Sequence, residues 1–307
     1  MPQSIAVFGA GPGLGHAVAH RYAQDGYDIV LVARRQEPLE RLAHELRELT
    51  DAGVTAHVIT ADLADTDAIP ALADQIRAKV GLLDALYYAP TPEDGFVAAA
   101  NLTPQRAQAF MPLVFYSMVA LVREFLPDML ARGEGAILTA QGASTVHGLP
   151  NMSGPGPAQA AQRNYLQSLH TEVAGQGVYV GMLYIGAIIE DSAFHAWLQQ
   201  AKASGAETRD WGPTVTPAHL ADILRDMHKA KAPAEVIYPD SKLPAGAEQV
   251  PGPAPDIENA PWRQHHAQGK LRRAVEPRLA LQPRESVRFS CPACMIGGLL
   301  GSTRRKF

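Results

Sequence analysis

The stretch FGAGPGLGHAVAHRYAQDG, residues 8–26, joins the end of an apolar run to an amphipathic one. Gly9, Gly13 and Gly15 give the spacing GxxxGxG, with Gly11 inside it. Glycines so placed let the backbone turn sharply from a strand into a helix. They also let an anionic group come close to the amino end of that helix, where unpaired N–H groups and the helix dipole favour negative charge. Glycine-rich turns also serve strand-to-helix packing alone, so the surrounding pattern has to decide between the two uses.

That pattern is regular. SIAVF at 4–8, DIVLVA at 28–33, TAHVIT at 55–60, LDALYY at 83–88, GAILTA at 135–140, VYVGMLY at 178–184 and AEVIY at 234–238 read as seven strands. Helical stretches separate them; in PLERLAHELRELTDAG, for example, Leu39, Leu42, Leu46 and Leu49 recur at helical spacing and Gly53 supplies a stop. Strand and helix in alternation predict an α/β, Rossmann-type, doubly wound parallel seven-stranded sheet with helices on both faces and a ligand crevice at the carboxyl ends of the strands.

The alternation ends near Tyr238. From SKLPAGAEQVPGPAPDIENAP onward, proline, glycine and charge replace apolar periodicity. The chain is thus read as a body at 1–240, with a lid insertion near 188–214, and a Pro-rich linker with a basic tail at 241–307. The tail is read as disordered, or as a segment that folds back over the body or mediates self-association.

Composition is that of a globular protein, 47% hydrophobic and 19% charged. The formal charge of −4 combines an acidic body, with 16 Lys/Arg against 26 Asp/Glu over 1–240, and a basic tail, with 11 against 5. An acidic body does not suit a phosphate backbone, which argues against nucleic acid as the main partner. The two cysteines, Cys291 and Cys294 in CPAC, are too few for a structural zinc site, and no metal ligands are assigned elsewhere. The chain opens on MPQSIAVFGAG without a leader pattern, and no run of about 18 apolar residues is found; a cytoplasmic location without membrane attachment is expected.

Beyond the glycine turn, Ala33 occupies the end of the second strand, where an acidic residue commonly binds a ribose 2′-hydroxyl. Arg34 and Arg35 follow it, and two guanidiniums suit a 2′-phosphate, which points to NADP(H); a solvated turn is the plainer alternative. Asp62 and Leu63, after the third strand, stand where an adenine edge is read, unless Asp62 caps the following helix.

GxxxGxG after strand one, VARR after strand two, ADL after strand three, LPDML before strand five and IGA after strand six together resemble the short-chain dehydrogenase/reductase family over residues 4 to about 240. The resemblance implies cofactor contacts from Gly9, Gly11, Gly13, Leu14, Gly15, Arg34, Arg35, Asp62, Leu63, Ala89, Gln159, Gly186 and Ile188, the last through its backbone. It also implies a catalytic Asn, Ser, Tyr and Lys. By spacing these fall on Val114, Gly142, Pro155 and Gln159, so none of the four is present.

The loop TAQGASTVHGLPNMSG offers Gln141, Ser144, Thr145, His147, Asn151 and Ser153 instead. Ser144, His147, Ser153 and Gln159 are the candidate catalytic side chains, each with a plain role in turns, caps or the surface as the alternative. One of Tyr87 and Tyr88 is expected to face the crevice, and Tyr165 to serve packing only. Phe194, Trp197 and Trp211 in the insertion suit a flat apolar ligand or simply dock the insertion.

Within the family the chain resembles actinobacterial reductases of aromatic polyketides that lack the usual four residues, such as angucyclinone ketoreductases. That implies an NADPH-dependent ketoreductase acting on a bulky aromatic ketone in antibiotic biosynthesis, with the proton drawn from substrate or water. The alternatives are a catalytically silent NADP(H)-binding sensor or scaffold, and a dehydration or isomerisation without net redox change. A homo-oligomer is also expected by resemblance.

Overall fold

The computed structural model describes residues 3–49, 53–92, 94–205 and 211–239, without the Leu49 side chain. The tail at 241–307, with its CPAC motif, and residues 206–210 of the insertion lie outside the described residues.

Seven parallel strands form the sheet: β1 (Ser4–Phe8), β2 (Asp28–Ala33), β3 (Ala56–Thr60), β4 (Ala85–Tyr88), β5 (Gly135–Gly142), β6 (Val178–Ile185) and, last in the chain, β9 (Glu235–Tyr238). Their order is β3-β2-β1-β4-β5-β6-β9, and Val7 pairs with Leu31 on one side and Tyr87 on the other. The chain therefore winds outward from β1 to β3, returns, and winds the other way from β4. This reversal opens a crevice at the carboxyl ends of β1 and β4.

Strands buried on both faces divide their side chains between two cores. On one face Ile5, Val7, Ile29, Tyr87 and Leu138 pack under α1 (Leu14–Gln24), α2 (Gln36–Leu49) and α8 (Pro217–Ala230). On the other, Ala6, Phe8, Tyr88, Ile137 and Val180 pack under α3 (Ile69–Val80), α5 (Ser117–Arg132) and α6 (Gly156–Val173). Each fully buried leucine, isoleucine or phenylalanine contributes roughly 1.5–3 kcal/mol, so these stripes, rather than helix propensity, hold the layers.

α1 and α8 are also joined at their polar edges. The Tyr22 hydroxyl lies 2.9 Å from His228 Nδ1, and Arg225 Nε donates to Asp25 at 2.9 Å. Across the other face, Arg163 on α6 makes paired bonds of 3.0 and 2.7 Å to the Glu235 carboxylate on β9.

Three features depart from the sequence reading. β5 runs two residues further than GAILTA, to Gly142, because β6 pairs with it over its whole length. The insertion adds two short strands, β7 (Ile188–Ile189) and β8 (Thr214–Val215), which pair in parallel apart from the main sheet. α4 (Pro104–Met111) continues through a π turn at Pro112–Tyr116 into α5. The joined segment, Pro104–Arg132, is long and apolar enough by length and composition to cross a membrane, unlike anything read from the sequence. Its apolar face, with Met118, Leu121, Val122, Phe125 and Met129, is buried against the sheet.

Candidate functional site

The glycine turn lies at the mouth of the crevice. Gly9 has φ +90°, and a Cβ there would sit 2.9 Å from Pro90 Cα; at Gly15 it would collide with the Gly9 carbonyl oxygen. At Gly11 an added Cβ would meet nothing within 4 Å. The turn is thus tight underneath and open above, and α1 begins at Gly13 without a side-chain cap. The first turn of the helix follows directly with no side-chain cap on its N–H groups, an arrangement that fits a pyrophosphate. Leu14 is buried beneath the turn, so only its backbone is offered to a ligand. Ser192, the N-cap of α7 (Ala193–Ala203), lies beside Gly13 and places the insertion against the turn.

Arg34 and Arg35 follow β2 on the exposed side of the crevice, before α2. Asp62 is exposed and accepts the Ala64 N–H at 3.0 Å, an Asx turn. The short helix after it starts beyond Asp65 and takes no cap from Asp62, which corrects the capping alternative. Leu63 is buried, and its carbonyl accepts the Ser117 hydroxyl.

At the end of β4 the alternation holds, with Tyr87 in one core and Tyr88 in the other. Neither ring lines an open crevice, however: both are at most 1% exposed. β4 carries a helix layer on each face, so both side chains are covered. The Tyr88 hydroxyl donates to the Leu113 carbonyl, while that of Tyr87 is buried with no hydrogen-bond partner among the described residues. Burial pushes both phenols well above the usual range. Ala89 donates its N–H to Phe8 O at 3.1 Å and so ties β4 to β1 just below Pro90.

β5 and α6 carry the residues where the family would place its catalytic groups. Pro155 is the N-cap of α6, and its carbonyl accepts the Gln159 N–H at 3.0 Å. Gln159 Oε1 accepts from the Thr145 hydroxyl at 3.3 Å. Gly142 ends β5, and a Cβ built on it would lie 3.4 Å from Ser144 Oγ. Ser144 is 8% exposed. Its hydroxyl therefore stands next to the space that a serine at 142 would fill.

The other loop candidates are placed differently. His147 is exposed, and Ser153 donates its amide to Val97 O at 3.0 Å. Asn151 is a left-handed turn residue with φ 60°. Tyr165 packs edge-on against Phe115, at a centroid distance of 6.1 Å, in line with a packing role.

Sequence reasoning missed Gln162. It lies within the buried stripe Ala158, Leu166, Leu169 and Val173 of α6, and that polar break in an apolar face was the available signal. Its amide, 1% exposed, donates to the Val114 carbonyl and accepts from Gln141 Nε2; the Thr139 hydroxyl lies 3.2 Å from its Oε1. Gln141 Oε1 is left buried without a partner among the described residues.

The insertion forms an aromatic wall. Phe194 stacks on Trp197 at 5.5 Å and meets Trp211 edge-on at 5.0 Å, and Phe96, from the loop after β4, lies 6.5 Å from Trp211. Phe96 Cα also borders Gly154, next to Pro155. All four rings are half-buried. Gly186 donates to Tyr238 O at 2.6 Å, and the Ile188 amide donates to Pro213 O at 2.8 Å, where β7 pairs with β8.

Sheet order, glycine turn and crevice define a doubly wound α/β protein of the dinucleotide-fold class. A family model for short chain dehydrogenases matches residues 3–200, and the chain belongs to that family. An uncharacterized oxidoreductase of Mycobacterium tuberculosis is 28% identical over 225 residues, covering 72% of this chain and 62% of the relative's length. The chain thus spans less than two thirds of that relative. Two solved structures share the fold. One is the L-sorbose reductase of Gluconobacter frateurii, complexed with NADPH and L-sorbose (24% identity, TM-score 0.66, 78% of this chain and 95% of that one). The other is a short chain oxidoreductase of Pseudomonas aeruginosa containing an atypical catalytic center (21% identity, TM-score 0.67, 78% and 98%).

Proposed function

We propose that the protein is an NADPH-dependent ketoreductase that reduces a ketone of a bulky aromatic, polyketide-type substrate without a tyrosine acid. The observation that carries this reading is the buried Ser144 hydroxyl beside Gly142. It can donate to the substrate carbonyl oxygen from the place a family serine would occupy. Gln159, one turn into α6, can hydrogen-bond ribose hydroxyls in place of the lysine but brings no positive charge. Arg34 and Arg35 favour a 2′-phosphate, and Asp62 with Leu63 borders the adenine.

NADPH, when bound, supplies the hydride. The oxyanion left on the substrate takes its proton from water or from a neighbouring phenol of the substrate, because Pro155 has none to give. Positioned acid catalysis contributes about 10² to 10⁴ in rate, whereas proximity and orientation contribute roughly 7–11 kcal/mol. The larger contribution survives the loss of the tyrosine. The half-buried wall of Phe96, Phe194, Trp197 and Trp211 suits a flat ring system. We place the enzyme in the cytoplasm, as a homo-oligomer paired through α5 and α6.

The test is NADPH deuterated at nicotinamide C4, on each face in separate runs, offered with a panel of hydroxylated aromatic ketones. Label in the alcohol supports the reading. Tight NADPH binding with no labelled product from any ketone sinks it and favours a silent sensor or scaffold. Turnover without cofactor oxidation would mean dehydration or isomerisation.

A further inference from the structure

Outside the crevice, α1 and α2 bring three ligand atoms to one point. His16 and His20 lie one turn apart on α1, and Glu45 faces them from α2. His16 Nε2 is 2.9 Å from Glu45 Oε2 and 2.9 Å from His20 Nε2, and His20 Nε2 is 3.6 Å from Glu45 Oε2.

The protons do not account for this triangle. A neutral ring nitrogen carries either a hydrogen or a lone pair. If His16 Nε2 donates to Glu45, it has nothing further to give His20, whose Nε2 must then present a lone pair to the same shared hydrogen. One proton serves three converging atoms poorly, whereas a cation at their centre would engage all three lone pairs.

The dimensions suit such an ion. In a tetrahedral site with bonds of about 2.0–2.1 Å, neighbouring ligand atoms are about 3.3 Å apart. The three edges here bracket that value, so closure needs shifts of a few tenths of an ångström. Those fall on side chains that are 39%, 24% and 49% exposed and free to adjust.

We propose that His16, His20 and Glu45 form a binding site for one divalent transition-metal ion of the zinc class, with water completing the coordination. Two imidazoles and a carboxylate suit zinc, nickel or copper; magnesium and calcium prefer all-oxygen sites. The bound ion staples α1, which starts at the glycine turn, to α2, which starts just after Arg35. The proposal does not depend on the ketoreductase reading.

The experiment uses the full chain and reads the difference between variants, so that zinc held by Cys291, Cys294 or the other histidines cancels. Wild type, the double variant His16→Gln/His20→Gln and Glu45→Gln are dialysed against Zn(II), and bound zinc is counted. Wild type should hold one ion more than the double variant, and its thermal midpoint should rise with Zn(II) while that of the double variant rises less. Loss of an outer-shell partner costs 10–100-fold in metal affinity, so losing the ligand Glu45 should weaken this site by at least about tenfold. Circular dichroism checks that both variants fold; Glu45→Gln alone suffices should the double variant fail. Equal zinc stoichiometry and equal thermal shifts in wild type and a folded variant overturn the proposal. So does Mg(II) protection equal to that of Zn(II).

Discussion

In the proposed reaction Ser144 supplies the hydroxyl that meets the substrate oxygen. Replacing it by alanine removes a donor aimed at developing negative charge, and kcat for ketone reduction should fall by about 10²-fold with little change in NADPH affinity; stopped-flow single turnovers with NADPH read both. A second residue-scale consequence concerns pH. Burial, then the Lys231 charge, lowers the His228 pKa to about 4 from 6.5, so the ring stays neutral and its Nδ1 can accept the Tyr22 hydroxyl. A histidine depressed in the folded state adds stability that is full above pH 6.5 and is lost as pH falls from 6.5 toward 4. The contribution is about 3 kcal/mol. Urea titrations at pH 7 and pH 4.5 should show a loss in that window that His228→Gln largely abolishes.

Two elements carry predictions of their own. In the strand-to-helix turn, Gly15→Ala forces a methyl group onto the Gly9 carbonyl. The turn must open, and NADPH affinity should drop by more than about tenfold, a loss that isothermal calorimetry would detect. In α6, Gln162→Leu strands the Val114 carbonyl and leaves Gln141 without its acceptor. Each orphaned polar group costs about 1–3 kcal/mol, so the denaturation midpoint should fall although leucine is the more apolar residue. The element scale also shows what the sequence made legible. The strands and the glycine turn were readable because alternation and spacing are local signals. Gln162 was not singled out because its partners come from β5 and the π turn, far away in the chain, and no spacing rule brings 114, 139, 141 and 162 together. HxxxH at 16 and 20 was visible on one helix, but only helix packing supplies Glu45.

For the whole molecule, cofactor binding and stability should be one measurement. A ligand at 100 times its Kd adds about 2.7 kcal/mol, so NADPH should raise Tm by roughly 5–10 °C, and NADH at equal concentration by less. Arg34→Ala/Arg35→Ala should erase that difference. The parallel seven-stranded sheet followed from the alternation along the chain, whereas the strand order and the placing of Ser144 beside Gly142 needed the three-dimensional structure. The π turn at Pro112–Tyr116 works at this largest scale too. Each residue of an α-helix advances about 100°, and a π turn holds one residue more than an α turn, so α4 and α5 are out of phase. Phe110 looks toward Ala158 at the start of α6, while Met118 looks into the sheet. The offset works like a clutch in a drive shaft. Mutation can reshape the segment that meets the amino end of α6 without turning the helix that holds the core.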